Sequence, residues 1–357
     1  MKTTVIGSFP YETSIPNWFN KKEDISGLAT HLSTKKYTQY IDNPPNNYKQ
    51  ILDQKITETL EIQEKIGIDV FTNGEIGREN YIHFILRNWN GVDFNKLEKK
   101  TLRNNAYSCK LPVIRSKLSI NKMTAKQDWL LSSKKVKDPS KLKYTLPGPM
   151  TIYDTIVDCY YDSPIQCMND IAKIINMEML DLQKEGCCHI QLDEPVFARY
   201  PEKVLLYANN LLNRCFEGIV VHKSLHICCG YPDKLEHTNY LKADKNSYIK
   251  IADLLDNSIV DSISIEDAHR NNDLEKLLGL FKNKIIILGV IKIATVSIES
   301  VDYIKNRINE ALKYINYNRL WISPDCGLGM LPIDIAIKKL KVMSEAINIV
   351  KKSFLKS

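Results

Sequence analysis

Long hydrophobic runs are missing from this 357-residue chain. A helix needs about 20 consecutive apolar residues to span a bilayer, so no membrane span is expected. The opening Met1-Lys2-Thr3-Thr4-Val5-Ile6-Gly7 reads as a strand and not as a signal peptide. The nine cysteines are odd in number and irregularly spaced, which argues against a disulfide framework. A reducing cytoplasm, where thiols stay free to bind metal, is the expected location. No nucleic-acid module is recognisable and aromatics are not interleaved with basic residues, so no nucleic-acid partner is expected. Nor does any hinge separate two cores.

What is present is an ordinary globular composition, 44% hydrophobic and 25% charged, able to bury a large core. The net charge of +7 is unevenly spread. Between Val92 and Ser140 there are twelve Lys/Arg against four Asp/Glu, which leaves the remainder close to neutral. Such a segment is either a solvated surface or an attractor for an anionic partner or substrate.

Strand-like and helix-like stretches alternate along the chain. Strands are read at residues 3–9, 69–72, 143–146, 189–192, 223–227, 260–265, 285–290 and 319–322. The main helices are read at 51–66 (stopped by Gly67), near Asn80, and at 164–185, 201–216, 248–255, 274–281, 300–314 and 333–350. Residues 11–47 read as polar and irregular, while the basic segment holds a strand at 111–120 and a short helix at 124–131. Eight strand–helix pairs with apolar strands predict an α/β fold, a parallel (β/α)8 TIM barrel. That barrel needs about 250 residues. The surplus is assigned to insertions at about 11–47 and 92–140, the second being a basic insertion between strands 2 and 3, within a single domain spanning 1–357.

Ser8, Glu75, Asp193, Glu194, His226, Cys228, Glu266 and Cys326 all fall at the C-terminal ends of predicted strands, where a barrel forms its active-site mouth. His226 and Cys228 are two apart on a strand and share a face. An imidazole with two thiolates suits zinc. Cys326 follows another apolar run, and Glu266 ends the run Ser262-Ile263-Ser264-Ile265, where a carboxylate can complete the set. A lone His-x-Cys is more often core packing.

Seven stretches carry a resemblance: Thr4-Val5-Ile6-Gly7-Ser8-Phe9-Pro10, Asn73-Gly74-Glu75, Leu146-Pro147-Gly148-Pro149-Met150-Thr151, Ile190-Gln191-Leu192-Asp193-Glu194-Pro195, His226-Ile227-Cys228, Ile263-Ser264-Ile265-Glu266 and Pro324-Asp325-Cys326-Gly327. In this order they resemble the catalytic C-terminal barrel of cobalamin-independent methionine synthase, above all its short single-barrel relatives, over nearly the whole length. The resemblance implies Zn2+ held by His226, Cys228, Glu266 and Cys326, with Glu266 the labile ligand that yields as a substrate thiol arrives. Two thiolates and a carboxylate leave such a centre net negative. It is then a poor activator of water but still holds a thiol as thiolate near neutral pH. The implied reaction is attack of that sulfur on an alkyl carbon.

By the same resemblance, carboxylates matching Glu75 and Asp193 hold the amino group of homocysteine, and Gly7-Ser8 meets its carboxylate end. Buried carboxylates suit an ammonium, because unpaired buried charge is costly; an ion pair with Arg78 is the structural alternative for Glu75. Glu194 is assigned to substrate contact or to orienting a ligand or loop. Cys229 is read as packing, and Cys187 and Cys188 carry no chemistry. Folate-using relatives place a histidine after the seventh strand and a pterin-stacking tryptophan after the third. Here Ala294 and about Thr155 stand at those places, and no counterpart of the folate-binding N-terminal half is expected. His269 supplies a proton from a neighbouring loop, or else is a solvent-facing loop residue. A tertiary-amine leaving group needs that proton, whereas reduced corrinoid cobalt leaves without it. Glu266, Asp193 and His269 are thus the residues expected at the chemistry. The expectation is a zinc-dependent methyltransferase converting homocysteine to methionine, with a corrinoid protein or another non-folate carrier as donor. The alternatives are a zinc alkyltransferase on another thiol, of the kind that opens epoxides with coenzyme M, methyl-folate-dependent homocysteine methylation, and a carrier module whose basic insertion docks an acidic partner.

Overall fold

Residues 1–11, 31–102, 107–232, 234–237 and 239–354 are described by the structure, a computed structural model. At its centre is a parallel sheet of seven strands in the order Lys2–Thr3, Leu320–Pro324, Ile285–Ile291, Ser262–Ile265, His222–Ile227, His189–Asp193 and Lys143–Pro147. Val70 bridges in parallel to Thr4, and Phe71 to Leu142. One further stave therefore joins the two sheet edges and closes an eight-stave TIM barrel, as the alternation predicts.

The two-residue period of the strands decides what fills the barrel. In His189-Ile190-Gln191-Leu192-Asp193, Ile190 and Leu192 join the apolar core shared with the helices. Gln191 instead bonds to Asp193 and to the Ile6 carbonyl. The next two staves repeat the pattern: Ser224 meets Ser262 and His226 meets Ser264, while Leu225, Ile263 and Ile265 belong to the apolar core. Inside the barrel polar side chains predominate, with Val70, Ile287 and Trp321 as a separate apolar cluster, and the jacket is apolar.

The helices bury one stripe each. Pro164–Lys184 buries Cys167, Ile171, Ile175, Met179 and Leu182 at helical spacing. Tyr48–Ile66 ends where Gly67 adopts φ 85°, a left-handed cap whose N–H reaches the carbonyls of Gln63 and Glu64. Among the described residues no helix is long and apolar enough to cross a membrane.

The insertions differ from expectation. Residues 12–30 lie outside the described residues, but His31–Asp42 is a helix where the polar composition reads as irregular. Its Tyr37 is buried and donates its hydroxyl to the Gly77 carbonyl, so tertiary contact supplies what the local pattern lacks. The basic segment is a long antiparallel hairpin, Trp89–Leu102 with Tyr107–Ile120, followed by the expected short helix at Ala125–Ser133. Its first strand escapes sequence reading because the register shifts between Asp93 and Glu98, which breaks the alternation. The helix read near Asn80 is only the turn His83–Leu86.

At the N-terminal end of the barrel the His222 ring lies 5.1 Å from those of both His189 and Trp321. Burial, reinforced for His189 by the neighbouring His222, lowers the two imidazoles to about 3 and about 4 respectively. Unfolded histidines titrate near 6.5. Below that pH the unfolded chain binds more protons than the folded one, so stability falls as pH drops toward the folded values. His189→Phe removes an imidazole whose Nδ1 is buried without a partner. It is expected to shrink the difference between urea midpoints measured at about pH 7.5 and about pH 5. An unchanged difference would contradict a neutral buried pair.

Candidate metal centre

His226 and Cys228 at the end of one stave meet Cys326 at the end of another. Their ligand atoms all lie within 4.8 Å of one another, and Cys326 Sγ is 3.6 Å from His226 Nε2. The other ring nitrogen, Nδ1, sits 3.0 Å from Ser264 Oγ, which fixes the imidazole with Nε2 toward the sulfurs. The Cys326 thiol donates to Cys228, and His226 adds to the effect. Cys228 is therefore drawn well below the ordinary thiol range, while the same contact and burial push Cys326 well above it.

Glu266 stands beside this trio and is not among the groups whose ligand atoms lie within 4.8 Å of one another. Its Oε2 accepts the Cys229 N–H at 2.9 Å, whereas Oε1 is buried without a hydrogen bond, 3.6 Å from the Lys242 ammonium. Burial first, then the Cys228 sulfur, raises its carboxyl to about 7. One nitrogen, two sulfurs and an adjacent buried oxygen without a hydrogen bond are a donor set that fits zinc. Asp325, next to Cys326, accepts the N–H groups of Asp267, Ala268 and His269 at 2.7–2.9 Å. The loop after Glu266 is thereby stapled to the stave carrying Cys326. Gly289 is required there, since a Cβ would fall 2.2 Å from Asp325 Oδ1.

Beside the trio opens a cavity of about 110 Å³ whose walls include Gly7, Ser8, Glu75 and Asp193. Glu75 sits at φ 56° and accepts the Thr145 hydroxyl at 2.7 Å. Arg78 is 3.7 Å from it but 2.8 Å from Asp128, so the ion pair weighed for Glu75 is the weaker of two. Gly7 packs directly on this carboxylate, leaving no space for a Cβ, which would lie 2.5 Å from Glu75 Oε1. Ser8 accepts the Gly329 N–H through Oγ at 3.3 Å, and its carbonyl accepts the Leu328 N–H. Asp193 accepts a 2.7 Å bond from Gln191, while burial, with Glu75 adding, raises it to about 7.

Two expected residues lie elsewhere. Glu194 accepts from Met150 N, Thr151 N and the Thr151 hydroxyl at 2.6–2.9 Å, so both its oxygens cap the helix Pro149–Asp154 instead of meeting a substrate. Burial nevertheless raises it to about 8. His269 accepts through Nε2 from the N–H groups of Ile293 and Ala294 at 2.9 and 3.2 Å, which puts its proton on Nδ1. Burial and the ammonium groups of Lys242, Lys292 and Lys339 lower it to about 3, and it lines a separate cavity with Lys242 and Lys292. A neutral ring facing another cavity is not set to protonate a leaving group in this one. Conversely, Tyr81, Arg199, Tyr231 and the hairpin residues Leu102 and Leu111 line the cavity. No local sequence signal marks them, because they come together from distant segments.

A parallel barrel with an imidazole and two thiols gathered at the mouth of its staves is a barrel with a candidate metal site. Residues 1–348 match the family described as cobalamin-independent synthase, catalytic domain, and the chain belongs to that family. The methionine synthase of Thermococcus kodakarensis is 28% identical over 355 residues, 99% of this chain and 94% of that one. That of Sulfolobus acidocaldarius is 29% identical over 357 residues, 100% and 94% of the two chains. A B12-independent methionine synthase from a Shewanella species, solved in complex with selenomethionine, aligns with a TM-score of 0.84 and 27% identity, covering 100% of this chain and 99% of that chain. The corrinoid donor expected from Ala294 and Thr155 finds no support in this membership and is set aside.

Cys228→Ser and Cys326→Ser are each expected to abolish stoichiometric zinc uptake, and Ser264→Ala to weaken it about tenfold. Competition with a chromophoric chelator measures both, with circular dichroism as the fold control. A full equivalent of zinc in both cysteine variants would remove the centre.

Proposed function

We propose that this chain transfers a methyl group to the sulfur of homocysteine, giving methionine, at a zinc centre held by His226, Cys228 and Cys326 with Glu266 completing the set. The observation that carries this reading is the nitrogen–sulfur–sulfur trio opening onto a cavity walled by Glu75, Asp193, Gly7 and Ser8. Relatives alignable over nearly the whole chain are named methionine synthases, which supports it. When bound, zinc supplies the positive charge that stabilises a substrate thiol as thiolate near neutral pH.

The protein's own groups do the rest. Asp193 and Glu75 are buried beside each other's charge, a position made favourable by a ligand ammonium. Gly7 and Ser8 border the same cavity and face the carboxylate end of the amino acid. Glu266 keeps one oxygen on the Cys229 N–H, leaving Oε1 to turn toward or away from the centre. Leu102, Leu111, Tyr81 and Tyr231 wall the cavity and exclude water from the reacting sulfur. The sulfur–carbon bond forms as the bond from methyl to donor breaks, so the three atoms must lie in line across this cavity.

Metal analysis coupled to a donor panel tests the proposal: methyl-folate, methylcobalamin, a methyl-corrinoid protein and S-methyl compounds, each with homocysteine. The expected outcome is zinc-dependent methionine formation with a single donor class. Glu75→Ala and Asp193→Ala should each raise the KM for homocysteine at least about tenfold. Full activity of metal-free protein, or an unchanged KM in both variants, would sink the assignment.

A further inference from the structure

Under the cavity floor lies a lysine that the proposed reaction does not use. Lys143 is 3% exposed and forms no ion pair among the described residues. Its ammonium donates to the Val5 carbonyl at 2.5 Å, to Gln191 Oε1 at 2.5 Å and to Thr4 Oγ1 at 3.3 Å. Those three bonds use all the hydrogens an ammonium has. Burial lowers Lys143 to about 7, and the negative charges acting in the other direction are those of Asp193 and Glu75.

Gln191 is fully buried and carries the contact upward. Its Nε2 donates to Asp193 Oδ1 at 2.7 Å and to the Ile6 carbonyl at 3.0 Å. A side-chain amide can face either way, but an ammonium only donates. Lys143 therefore selects the orientation with Oε1 toward itself and Nε2 toward Asp193. The same bonds grip the carbonyls of Val5 and Ile6, immediately before Gly7-Ser8. Arg78 is 2.8 Å from Asp128 but 3.7 Å from Glu75, so Glu75 and Asp193 keep room for a further positive charge. An α-amino group brings that charge. Lys143 itself does not line the cavity.

We propose that Lys143, acting through Gln191, is a positioning residue for the amino-acid end of the ligand, orienting the Asp193 carboxylate and the Ile6-Gly7-Ser8 backbone together and placing positive charge beneath Glu75 and Asp193. This rests on the reading of those two carboxylates as the ammonium site. Lys143 thus contributes to selection of an amino acid over a plain thiol without touching either.

Titration calorimetry with methionine and with 4-methylthiobutyrate, which is methionine lacking its amino group, reads this without donor or turnover. The wild-type protein is expected to bind methionine the more tightly. Lys143→Met and Gln191→Met should each weaken methionine about tenfold or more and leave 4-methylthiobutyrate within about twofold. The double variant should be no worse than the worse single one, since the two act as one unit. Equal losses for both ligands, unchanged methionine binding, or additive losses would each overturn the role. Should Lys143→Met fail to fold, as circular dichroism reports, Gln191→Met decides: selective loss of methionine supports the proposal and unselective loss refutes it. A wild-type protein that does not distinguish the two ligands refutes the ammonium site itself, and the role of Lys143 falls with it.

Discussion

A polar interior is the constraint on which this barrel depends. Every second residue of its staves points inward, and here those residues include Lys143, Gln191, Asp193, Ser224, His226, Ser262 and Ser264, all buried. A buried polar group left without a partner costs about 1–3 kcal/mol, so each must bond to a neighbour. The bonds run sideways: Ser224 to Ser262 at 2.8 Å, His226 to Ser264 at 3.0 Å, Lys143 to Gln191 at 2.5 Å. They tie adjacent staves into one register, and that register brings the chemistry-bearing ends to the same level at the mouth.

The mouth continues the same logic with loops. Asp325 ties the loop behind Glu266 to the stave of Cys326, and Glu194 seats the helix Pro149–Asp154. Neither residue reaches the cavity. Both tie the segments around it together through backbone N–H groups. Against this framework two carboxyls, Asp193 and Glu266, sit near about 7 because burial leaves their charge incompletely compensated. A positive charge placed beside either carboxyl would relieve that imbalance.

Much of this was legible in the sequence. The alternation of strands and helices is periodic because each stave buries one face against the helices, and residues such as Ile190, Leu225 and Ile263 state that period openly. His226 and Cys228 are legible because two-residue spacing alone puts them on one face. The hairpin strand Trp89–Leu102 was not, since its register shifts and charged residues erase the alternation. The directions of Glu194 and His269 were not legible for a different reason. A position at the end of a strand says where a side chain starts, and not which way it turns. Glu194 turns to backbone N–H groups of one loop, His269 to those of another.

The sequence by itself determined the barrel, the placing of the polar residues at the ends of its staves, and the imidazole–thiol pair, because these follow from periodicity and from residue chemistry. Only the tertiary structure decided that Cys326 joins that pair, that Glu266 stands beside it with one oxygen not hydrogen-bonded, and that Lys143 reaches Asp193 through Gln191. Those relations join residues 37 to 100 positions apart in the chain, and no local pattern encodes them. They exist because closing the barrel brings distant staves side by side and makes their buried polar groups satisfy one another.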